Sequence, residues 1–345
     1  MIYYFSEINY RGNHAGTKAR NDAEKIFQDF GCKPLNHRRL VLKEEGANKR
    51  IVSNIQNRLG FIPYYMDLLK IRHNTVIIQY PMLSFDIAYD YVEKIKKHNK
   101  VVFLVHDIQS MRRQDEKATQ KEIDMLNLAD GVILHNRFME KKLREISLNV
   151  KKVYLLECFD YLFDNITINK DRSKDSVAFA GNLEKSLFLK DLFKANPDIS
   201  FHLYGLGWNQ DNHFSNTTYM GSFSPDEIPA KLHASFGLVW DGESINGCSG
   251  ALGEYTRLNN PHKLSLYLAA GIPVIVWAEA AVAEYVRKEK IGIALDDISN
   301  LKNVFNRIND NEYEELLNNV NNIRQKVING FYLRRVLKQI EKEMW

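Results

Sequence analysis

The chain has 345 residues, 45% of them hydrophobic and 26% charged, which is typical of a globular protein long enough to form two domains. No run of about 18 apolar residues occurs, so the sequence excludes a membrane-spanning helix, and its three widely spaced cysteines favour a reducing, cytoplasmic location over a disulfide framework or a zinc site. Residues 1–160 hold 27 Lys and Arg against 20 Asp and Glu, whereas residues 161–345 hold 20 against 23; the basic half either faces an anionic partner such as a membrane leaflet or is a solvated surface without one.

Short apolar segments alternate with amphipathic segments along the whole chain, which is the pattern of a parallel α/β sheet. In the first half, the predicted strands lie at 2–5, 75–79, 101–105, 131–134 and 153–156. The predicted helices of that half lie at 17–30, 47–57, 85–97, 117–127 and 137–146.

The second half repeats this alternation. Strands are predicted at 176–180, 201–204, 236–240, 273–276 and 291–295, and helices at 225–232, 262–270, 279–286, 301–308 and 312–327. The polar stretch 165–175 between the halves reads as a linker. We therefore predict two domains at 1–165 and 166–330, and a C-terminal helix at 331–345 that returns to the first domain.

The segment 259–276 is the most informative part of the sequence, because it predicts a polar loop, a short helix and then a buried strand. Pro261 can open the helix, since the first helical turn has no use for the N–H that proline lacks, and Gly271 can supply the left-handed residue that ends it. His262 and Lys263 fall in the first turn, where cations are unfavourable unless an anion binds. Because a helix N-terminus also presents free N–H groups, the segment predicts a phosphate site.

In the first half, two polar segments follow predicted strands. His106 and Asp107 come directly after 101–105, and in open parallel sheets the ligand lies at the carboxyl ends of the strands. A His or Asp there can act as general base or orient a sugar hydroxyl; alternatively, both residues pack and cap locally. The loop 9–17 resembles a ligand-contacting loop, with Thr17 as predicted N-cap. It lacks the dinucleotide-binding glycine pattern, and no P-loop motif occurs, so a nicotinamide cofactor and a P-loop ATPase are disfavoured.

In the second half, Gly181 and Asn182 follow a predicted strand and precede a predicted helix start. Glycine allows the backbone to approach a phosphate closely, and Lys185 can add a mobile positive charge; the alternative is an exposed Gly-Asn turn. Asp241 and Glu243 lie at the end of another predicted strand, where their carboxylates can bind sugar hydroxyls or take a proton, with a simple polar turn as the alternative. Phe223 precedes a predicted helix with Ser224 as cap, and its ring can stack on a base or pack as a hydrophobic staple.

The loop 241–261 is unusually long and contains four glycines, which is typical of a functional segment that becomes ordered when a ligand binds. No Asp-x-Asp motif or histidine cluster suggests a metal site. The sequence therefore favours neutralisation of a diphosphate by a helix dipole together with Lys or Arg side chains.

These features resemble those of a GT-B glycosyltransferase, a class with two Rossmann-like αβα domains that face a central cleft. The resemblance is carried by Gly-Asn-Leu-Glu-Lys at 181–185 and by Pro-His-Lys-Leu-Ser-Leu-Tyr-Leu-Ala-Ala-Gly-Ile-Pro-Val-Ile at 261–275. More narrowly, the chain resembles bacterial β-1,6-galactofuranosyltransferases and the related glucosyltransferases that extend N-acetylglucosamine on serine-rich adhesins. The matching segments include 236–241 and are spread over nearly the whole chain.

The resemblance implies that the second domain binds a UDP-sugar and the first binds the acceptor. Lys185 and Lys263 would contact the diphosphate and Phe223 the uridine, while Thr17, His106 and Asp107 would face the transferred sugar. Together with the residue patterns above, it gives this donor-binding set: Thr17, Gly181, Asn182, Lys185, Phe223, Asp241, His262, Lys263, Leu264 and Ser265. In one departure, Leu266 and Tyr267 stand where retaining GT-B enzymes place a ribose-binding glutamate; in another, some relatives carry arginine at the position of Lys185.

The expected activity is metal-independent hexosyl transfer from UDP to a glycan hydroxyl in surface polysaccharide synthesis, with UDP-galactofuranose as the favoured donor and no cofactor. The acceptor would be a lipid-linked oligosaccharide, and Asp107 is the first choice of base, His106 the second. One alternative is a UDP-glucose or UDP-galactose transferase acting on a glycoprotein glycan. Another is a non-catalytic nucleotide-sugar-binding subunit. Nucleic acid is not an expected partner, while peripheral contact with the inner membrane and formation of a homo-oligomer are left open.

Overall fold

The computed structural model describes residues 1–6, 15–35, 66, 68–82, 85–164, 175–209 and 214–344, with residues 15, 16 and 85–88 described by their backbone alone. The predicted loop at 9–17, the helix at 47–57 and the linker at 165–175 fall largely or wholly outside these residues. All the elements given below belong to the described part of the chain.

The first domain is built on a six-stranded sheet in which every strand pair is parallel. Its strands in chain order are β1 (Ile2–Phe5), β2 (Lys33–Leu35), β3 (Thr75–Tyr80), β4 (Lys100–Val105), β5 (Gly131–Leu134) and β6 (Lys152–Leu155). Across the sheet the order is β2-β1-β3-β4-β5-β6.

The second domain contains another six-stranded, fully parallel sheet. Its strands are β7 (Ser176–Ala180), β8 (Ser200–Tyr204), β9 (Thr217–Gly221), β10 (Phe236–Val239), β11 (Val274–Trp277) and β12 (Gly292–Leu295). Their order across the sheet is β12-β11-β10-β7-β8-β9. The predicted pair of αβα domains is therefore confirmed.

Helices connect the strands in both domains. In the first domain they are α1 (Ala15–Phe30), α2 (Phe85–Lys96), α3 (Gln109–Arg112), α4 (Glu116–Leu126) and α5 (Arg137–Ile146). In the second they are α6 (Leu189–Ala195), α7 (Ile228–Lys231), α8 (Gly250–Tyr255), α9 (His262–Ala269), α10 (Val282–Glu289), α11 (Leu301–Asn306), α12 (Asp310–Ile328) and α13 (Phe331–Glu343).

The central strands are buried along their length, which explains why their sequences are almost continuously apolar. All six residues of β3 and all four of β10 and β11 are buried. Parallel strands covered by helices on both faces require such residues, because neither face of the sheet meets water.

Local polar residues decide where several helices begin. The Asp115 carboxylate accepts a hydrogen bond from the Ala118 N–H at the start of α4, and the Asn136 side chain accepts from two N–H groups at the start of α5. Asn309 and Glu312 form a reciprocal capping box at α12. Each cap satisfies N–H groups that the first turn leaves without a partner.

The C-terminal helix α13 crosses back to the first domain, as predicted. The buried Asp160 carboxylate, which follows β6, accepts hydrogen bonds from the N–H groups of Tyr332 (3.1 Å) and Leu333 (2.8 Å) in the first turn of α13. Arg335 also pairs with Glu157 at 2.6 Å. Because α13 packs on α1 as well, one face of the first sheet shares a continuous core with the second domain.

Several sequence-based expectations are wrong in detail. Thr17 is not an N-cap, because α1 begins at Ala15. No helix follows Gly181 directly: a turn intervenes and α6 begins at Leu189. Ser224 does not cap a helix, since α7 begins at Ile228 and the Ser224 hydroxyl instead donates to Glu227 at 2.6 Å.

The segment 241–261 is not simply a loop, because it contains α8. The edge strand β9 was not predicted: three of its five residues are exposed, so it carries no apolar run. The three-residue strand β2 is too short to show a pattern and was also not predicted.

Candidate active site

Several of the predicted site residues follow strands at the carboxyl edges of the two sheets, and the ring of Phe159 links three histidines there. Its centroid lies 5.7 Å from that of His106, 4.9 Å from that of His135 and 5.9 Å from that of His262. His106 follows β4, His135 follows β5 and His262 opens α9. The structure thus brings a first-domain strand end and the predicted phosphate-binding helix together around one aromatic side chain.

Lys263 lies between two strand ends of the second domain. Its Nζ donates to Asp241 Oδ1 at 2.7 Å and to the Trp240 carbonyl at 3.1 Å, both just after β10. The same ammonium lies 4.8 Å from the centroid of the Phe179 ring in β7. An ammonium has three donors, and these two hydrogen bonds leave it one for an arriving oxygen.

Asp241 balances the charge of Lys263 at the start of α9, where a cation opposes the helix dipole. Gly181 borders the same ammonium: a Cβ at this position would lie 3.3 Å from the Lys263 Cε. The predicted donor residues Gly181, Asp241 and Lys263 are therefore neighbours, although their sequence positions lie far apart.

His262 does not add a second positive charge to this helix start. Burial, and then the nearby Lys18 charge, lower the pKa of His262 to about 3, so its imidazole is neutral near pH 7. Both of its ring nitrogens are buried without a hydrogen-bond partner among the described residues. The predicted conflict between two cations and the helix dipole is thus reduced to one cation, Lys263.

His106 is also a neutral imidazole. Burial, and then the positive charge of Arg20, hold its pKa well below the ordinary value. Its Nε2 lies 2.6 Å from Gln79 Oε1, which fits donation of the Nε2 proton to this amide oxygen. The other ring nitrogen, Nδ1, is then an acceptor, and it has no partner in the described part of the chain.

Asp107 lies where the two domains meet. Its carboxylate pairs with the Arg112 guanidinium at 3.1 Å, and its side chain is 18% exposed. The Tyr255 hydroxyl, from α8 of the second domain, accepts a hydrogen bond from the Ile108 N–H at 2.9 Å. The proposed base is therefore partly open to the space between the domains and borders a residue of the other domain.

Asn260 joins the domains immediately before α9, the predicted phosphate-binding helix. Its Nδ2 donates to the carbonyls of His135 and Glu157, both at 2.9 Å, and its Oδ1 accepts from Asn136 at 2.7 Å. The Asn260 N–H donates to His135 Nδ1 at 3.0 Å, which requires a neutral ring. Burial lowers the pKa of His135 to about 4, so the ring stays neutral near pH 7. These contacts fix the start of α9 against the first domain.

Sequence reasoning missed both Asn260 and His135, because their contacts join positions about 125 residues apart. It also missed Lys18, whose ammonium contacts Asp22 and Asp226, each at 2.8 Å. Asp226 belongs to the second domain and Lys18 to α1, so this pair also crosses between the domains. One sequence signal pointed to this region: Asn136 is a favourable helix N-cap residue directly after β5, so it indicates a turn there.

The remaining predicted donor residues occupy different surroundings. The Leu264 side chain is 1% exposed and lies in the core. The buried Ser265 hydroxyl donates to the Phe159 carbonyl at 2.7 Å, so it holds the aromatic ring in place. Thr17 is buried on α1. A ligand can therefore contact these three residues only if their side chains rearrange or if it binds their backbone atoms.

Lys185, Asn182 and Phe223 lie farther along the second domain. Lys185 is exposed, and its N–H donates to Asn182 Oδ1 at 2.9 Å. Phe223 is partly buried, with its centroid 6.4 Å from that of Tyr204. Their roles in donor binding stay predictions.

Tyr267, one of the two residues expected to stand in place of a ribose-binding glutamate, has a structural role. Its ring lies over Gly237, where a Cβ would be 2.3 Å from the Tyr267 Cγ. Its hydroxyl accepts from the Ala180 N–H at 2.8 Å and donates to the Ala178 carbonyl at 3.2 Å. The tyrosine therefore ties α9 to β7 from inside the domain, and it is fully buried.

A small cavity of about 10 Å³ lies behind His106, lined by Asp22, Asp160 and apolar side chains of α1 and α13. Burial raises the pKa of Asp22 to about 6 and that of Asp160 to about 7. Space of this size holds about one water molecule. The cavity therefore does not offer room for a sugar.

Two such parallel-sheet domains, packed against each other at the start of α9, form the GT-B fold, which is a class of glycosyltransferase folds. A sucrose-phosphate synthase from Thermosynechococcus elongatus shares this fold, with a TM-score of 0.62 and 15% sequence identity over 91% of this chain and 83% of that one.

The chain belongs to the glucosyltransferase 3-like family, whose N-terminal-domain model matches residues 2–158 and whose C-terminal-domain model matches residues 177–340. It is 30% identical to beta-1,6-galactofuranosyltransferase WbbI of Escherichia coli strain K12 over 347 residues, covering 98% of each chain. It is 26% identical to glucosyltransferase 3 of Streptococcus gordonii over 334 residues, covering 94% of each. None of the helices in the described ranges is long and apolar enough to cross a membrane.

Proposed function

We propose that this glycosyltransferase moves a galactofuranosyl group from UDP-galactofuranose to a hydroxyl of a lipid-linked glycan during surface polysaccharide synthesis. The observation that carries the proposal is Lys263: an ammonium with a donor left for a ligand, held at the start of α9 beside Gly181 and Asp241. The choice of galactofuranose is supported by the relative that is 30% identical over 98% of the chain.

The reaction requires negative charge to be stabilised on the departing UDP. Lys263 supplies a positive charge, and the N–H groups at the start of α9 supply dipoles aimed the same way. Because His262 is neutral, it adds a hydrogen-bonding nitrogen at this position without adding charge. In the proposed complex, Lys185, which is exposed at the turn after β7, folds over the diphosphate from the solvent side.

The acceptor hydroxyl must lose a proton as it attacks the sugar. Asp107 serves as the base in the proposed mechanism, because its side chain is partly exposed at the junction of the domains and its carboxylate is held by Arg112. His106 is the second choice: its unpartnered Nδ1 can accept a proton, but its low pKa makes it a weaker base.

Glucosyl transfer from UDP-glucose to a glycoprotein glycan is the second candidate, and the match to a streptococcal glucosyltransferase 3 favours it. Thermal melts with a panel of UDP-sugars separate the two donors, because a ligand at a hundredfold excess over its Kd stabilises the native state by about 2.7 kcal/mol. UDP-galactofuranose is expected to raise the melting temperature most. If no UDP-sugar raises it, the protein does not use this donor class.

The Asp107→Asn variant tests the base. Loss of a positioned base commonly lowers kcat by roughly 100- to 10,000-fold, and the substitution keeps the size of the side chain, so donor binding should persist. Turnover is measured as UDP release in the presence of acceptor. Near-normal turnover of the folded, UDP-binding variant would assign the proton transfer to another group.

A further inference from the structure

Two side chains from outside the second domain contact the segment that carries Phe223, the residue predicted to contact the uridine. The Tyr161 hydroxyl, in the stretch of chain that follows β6, donates to the Pro225 carbonyl at 2.5 Å. The Lys18 ammonium of α1 pairs with the Asp226 carboxylate at 2.8 Å. The chain just beyond Phe223 is therefore held by two hydrogen-bonded contacts that cross between the domains.

Both of these side chains are themselves fixed in place. Tyr161 is 2% exposed and Lys18 is 7% exposed. The Lys18 ammonium reaches three acceptors, the Leu162 carbonyl, the Asp22 carboxylate and the Asp226 carboxylate, each at 2.8 Å, so all three of its hydrogens are used. The Asp226 side chain, by contrast, is 79% exposed. The buried, immobile partners thus restrain an exposed segment of the second domain.

The turn at 224–228 can transmit this restraint because it is bonded within itself. The Ser224 hydroxyl donates to the Glu227 carboxylate at 2.6 Å. The Ser224 carbonyl accepts from the N–H groups of Glu227 at 3.1 Å and Ile228 at 3.0 Å. Because the turn behaves as one unit, a change in its position also moves Phe223, the residue directly before it.

Tyr161 also contacts the other end of the predicted nucleotide site. Its ring centroid lies 5.1 Å from that of His262, the first residue of α9, while its hydroxyl is bonded to Pro225. One buried side chain therefore touches both the helix predicted to bind the diphosphate and the turn that follows the predicted uridine contact.

We propose that Tyr161 is a positioning residue for donor binding, which holds the 224–228 turn, and with it Phe223, in a fixed place relative to the start of α9. Lys18 supports the same turn from α1. The uridine end of the donor site is thereby completed by residues outside the donor-binding domain. A turn that is already in place loses less conformational freedom when the nucleotide binds, so the restraint raises affinity. The inference rests on the proposed UDP-sugar donor and on the predicted uridine contact of Phe223.

The test is the Tyr161→Phe variant, which removes the hydroxyl and keeps the ring that packs on His262. Without the hydrogen bond to Pro225, the turn should occupy its binding position less often, and the apparent affinity falls by the same fraction. A hydrogen bond of this kind corresponds to a roughly 2- to 10-fold effect, so the Kd for UDP should rise by that factor. The affinity for inorganic pyrophosphate, which needs only the α9 end of the site, should stay at the wild-type value.

The same variant should separate KM from kcat. Bound UDP-sugar returns the turn to its position, so the donor KM should rise together with the UDP Kd while kcat at saturating donor stays near that of the wild type. A tyrosine that only stabilises the fold would lower the melting temperature and leave both the Kd and the KM unchanged. Calorimetric titration gives the affinities, and UDP release in the presence of acceptor gives the rates.

Two control variants match the two kinds of contact. Tyr313→Phe removes a hydroxyl that donates to the Ser235 carbonyl at 3.0 Å inside the second domain, and Arg137→Gln removes another ion pair between the domains, to Glu284 at 2.7 Å. Both should bind UDP like the wild type. If Tyr161→Phe binds UDP as well as Tyr313→Phe does, Tyr161 only stabilises the fold and the inference is overturned. An equal loss in Arg137→Gln would attribute the effect to domain contact in general and would overturn it too.

The Asp226→Ala variant keeps the test decisive if Tyr161→Phe does not fold. Asp226 is exposed, and its removal leaves Lys18 bonded to Asp22 and to the Leu162 carbonyl, so the fold should persist. An ion pair with one exposed partner corresponds to a roughly 1.5- to 5-fold rise in the UDP Kd, again with unchanged pyrophosphate affinity. Wild-type UDP affinity in this variant would contradict the inference.

The Phe223→Leu variant separates this inference from the assignments beneath it. Normal UDP affinity in Phe223→Leu would refute the uridine contact itself. Weak UDP binding by Phe223→Leu together with normal binding by Tyr161→Phe would remove only the role of Tyr161. If the wild type does not bind UDP at all, the proposed donor class fails.

Discussion

Replacing Lys263 with alanine tests the proposed diphosphate site most directly. The substitution removes an ammonium that makes two hydrogen bonds, to Asp241 and to the Trp240 carbonyl, and has one donor left for a phosphate oxygen. A hydrogen bond to a charged group contributes about 1.5–3 kcal/mol. The expected loss in UDP affinity is therefore roughly 10- to 150-fold, since 1.4 kcal/mol corresponds to a factor of ten.

The same substitution should leave the fold intact. The side chains of the Lys263–Asp241 pair are 18% and 35% exposed, so the pair contributes on the order of 1 kcal/mol or less to stability. Calorimetric titration with UDP gives the affinity and a thermal melt gives the stability. The Lys190→Ala variant, which removes an exposed lysine of the same domain on α6, controls for net charge and should bind UDP normally. A UDP affinity of Lys263→Ala equal to that of Lys190→Ala would refute the assignment of the site.

Two further predictions concern stability. Because burial raises the pKa of Asp160 to about 7, above its ordinary 3.8, the folded state binds the Asp160 proton more tightly than the unfolded chain does. The stability that this proton contributes should therefore be lost as pH rises from about 4 to 7. Denaturant titrations should show a flatter pH dependence over this range for Asp160→Asn than for the wild type, and parallel curves would contradict the raised pKa. In Gly237→Ala, the new Cβ would lie 2.3 Å from the Tyr267 ring, so the free energy of unfolding should fall by roughly 1–3 kcal/mol or more; an unchanged melting temperature would mean that the ring can move aside.

The central strands of both sheets could be predicted because burial on two faces demands apolar residues at every position. The strand β10 has this property, and its prediction is confirmed to within one residue. The edge strand β9 has no such requirement and gives no apolar signal. Helix α8 was hidden for a different reason: its glycines, Gly250 and Gly253, indicate a loop, whereas a Cβ at Gly253 would come within 2.4 Å of the Cys248 backbone. Glycine is used there for close packing, which sequence alone does not distinguish from flexibility.

The candidate site, too, has parts that local sequence predicts and parts that depend on contacts between distant residues. Lys263 could be identified from its place in the first turn of a proline-initiated helix, which is a local property of the sequence. Its partner Asp241 was suggested by its position after a strand, but the bond between them joins residues 22 positions apart and depends on how α9 packs against β10. The contacts of Asn260 with His135 depend on the arrangement of two whole domains, and no local pattern encodes them.

The bonds of Asn260 have a consequence for protein engineering. Hybrids of two-domain transferases can be built by taking the first domain from one relative and the second domain from another. Here, Asn260, just before α9, forms hydrogen bonds with the first domain: with the His135 ring, the Asn136 side-chain amide, and the carbonyls of His135 and Glu157. A hybrid that inherits Asn260 without His135, Asn136 and the backbone turn at Glu157 would leave several buried polar groups without partners. Crossover points should therefore be chosen so that these four positions come from the same parent.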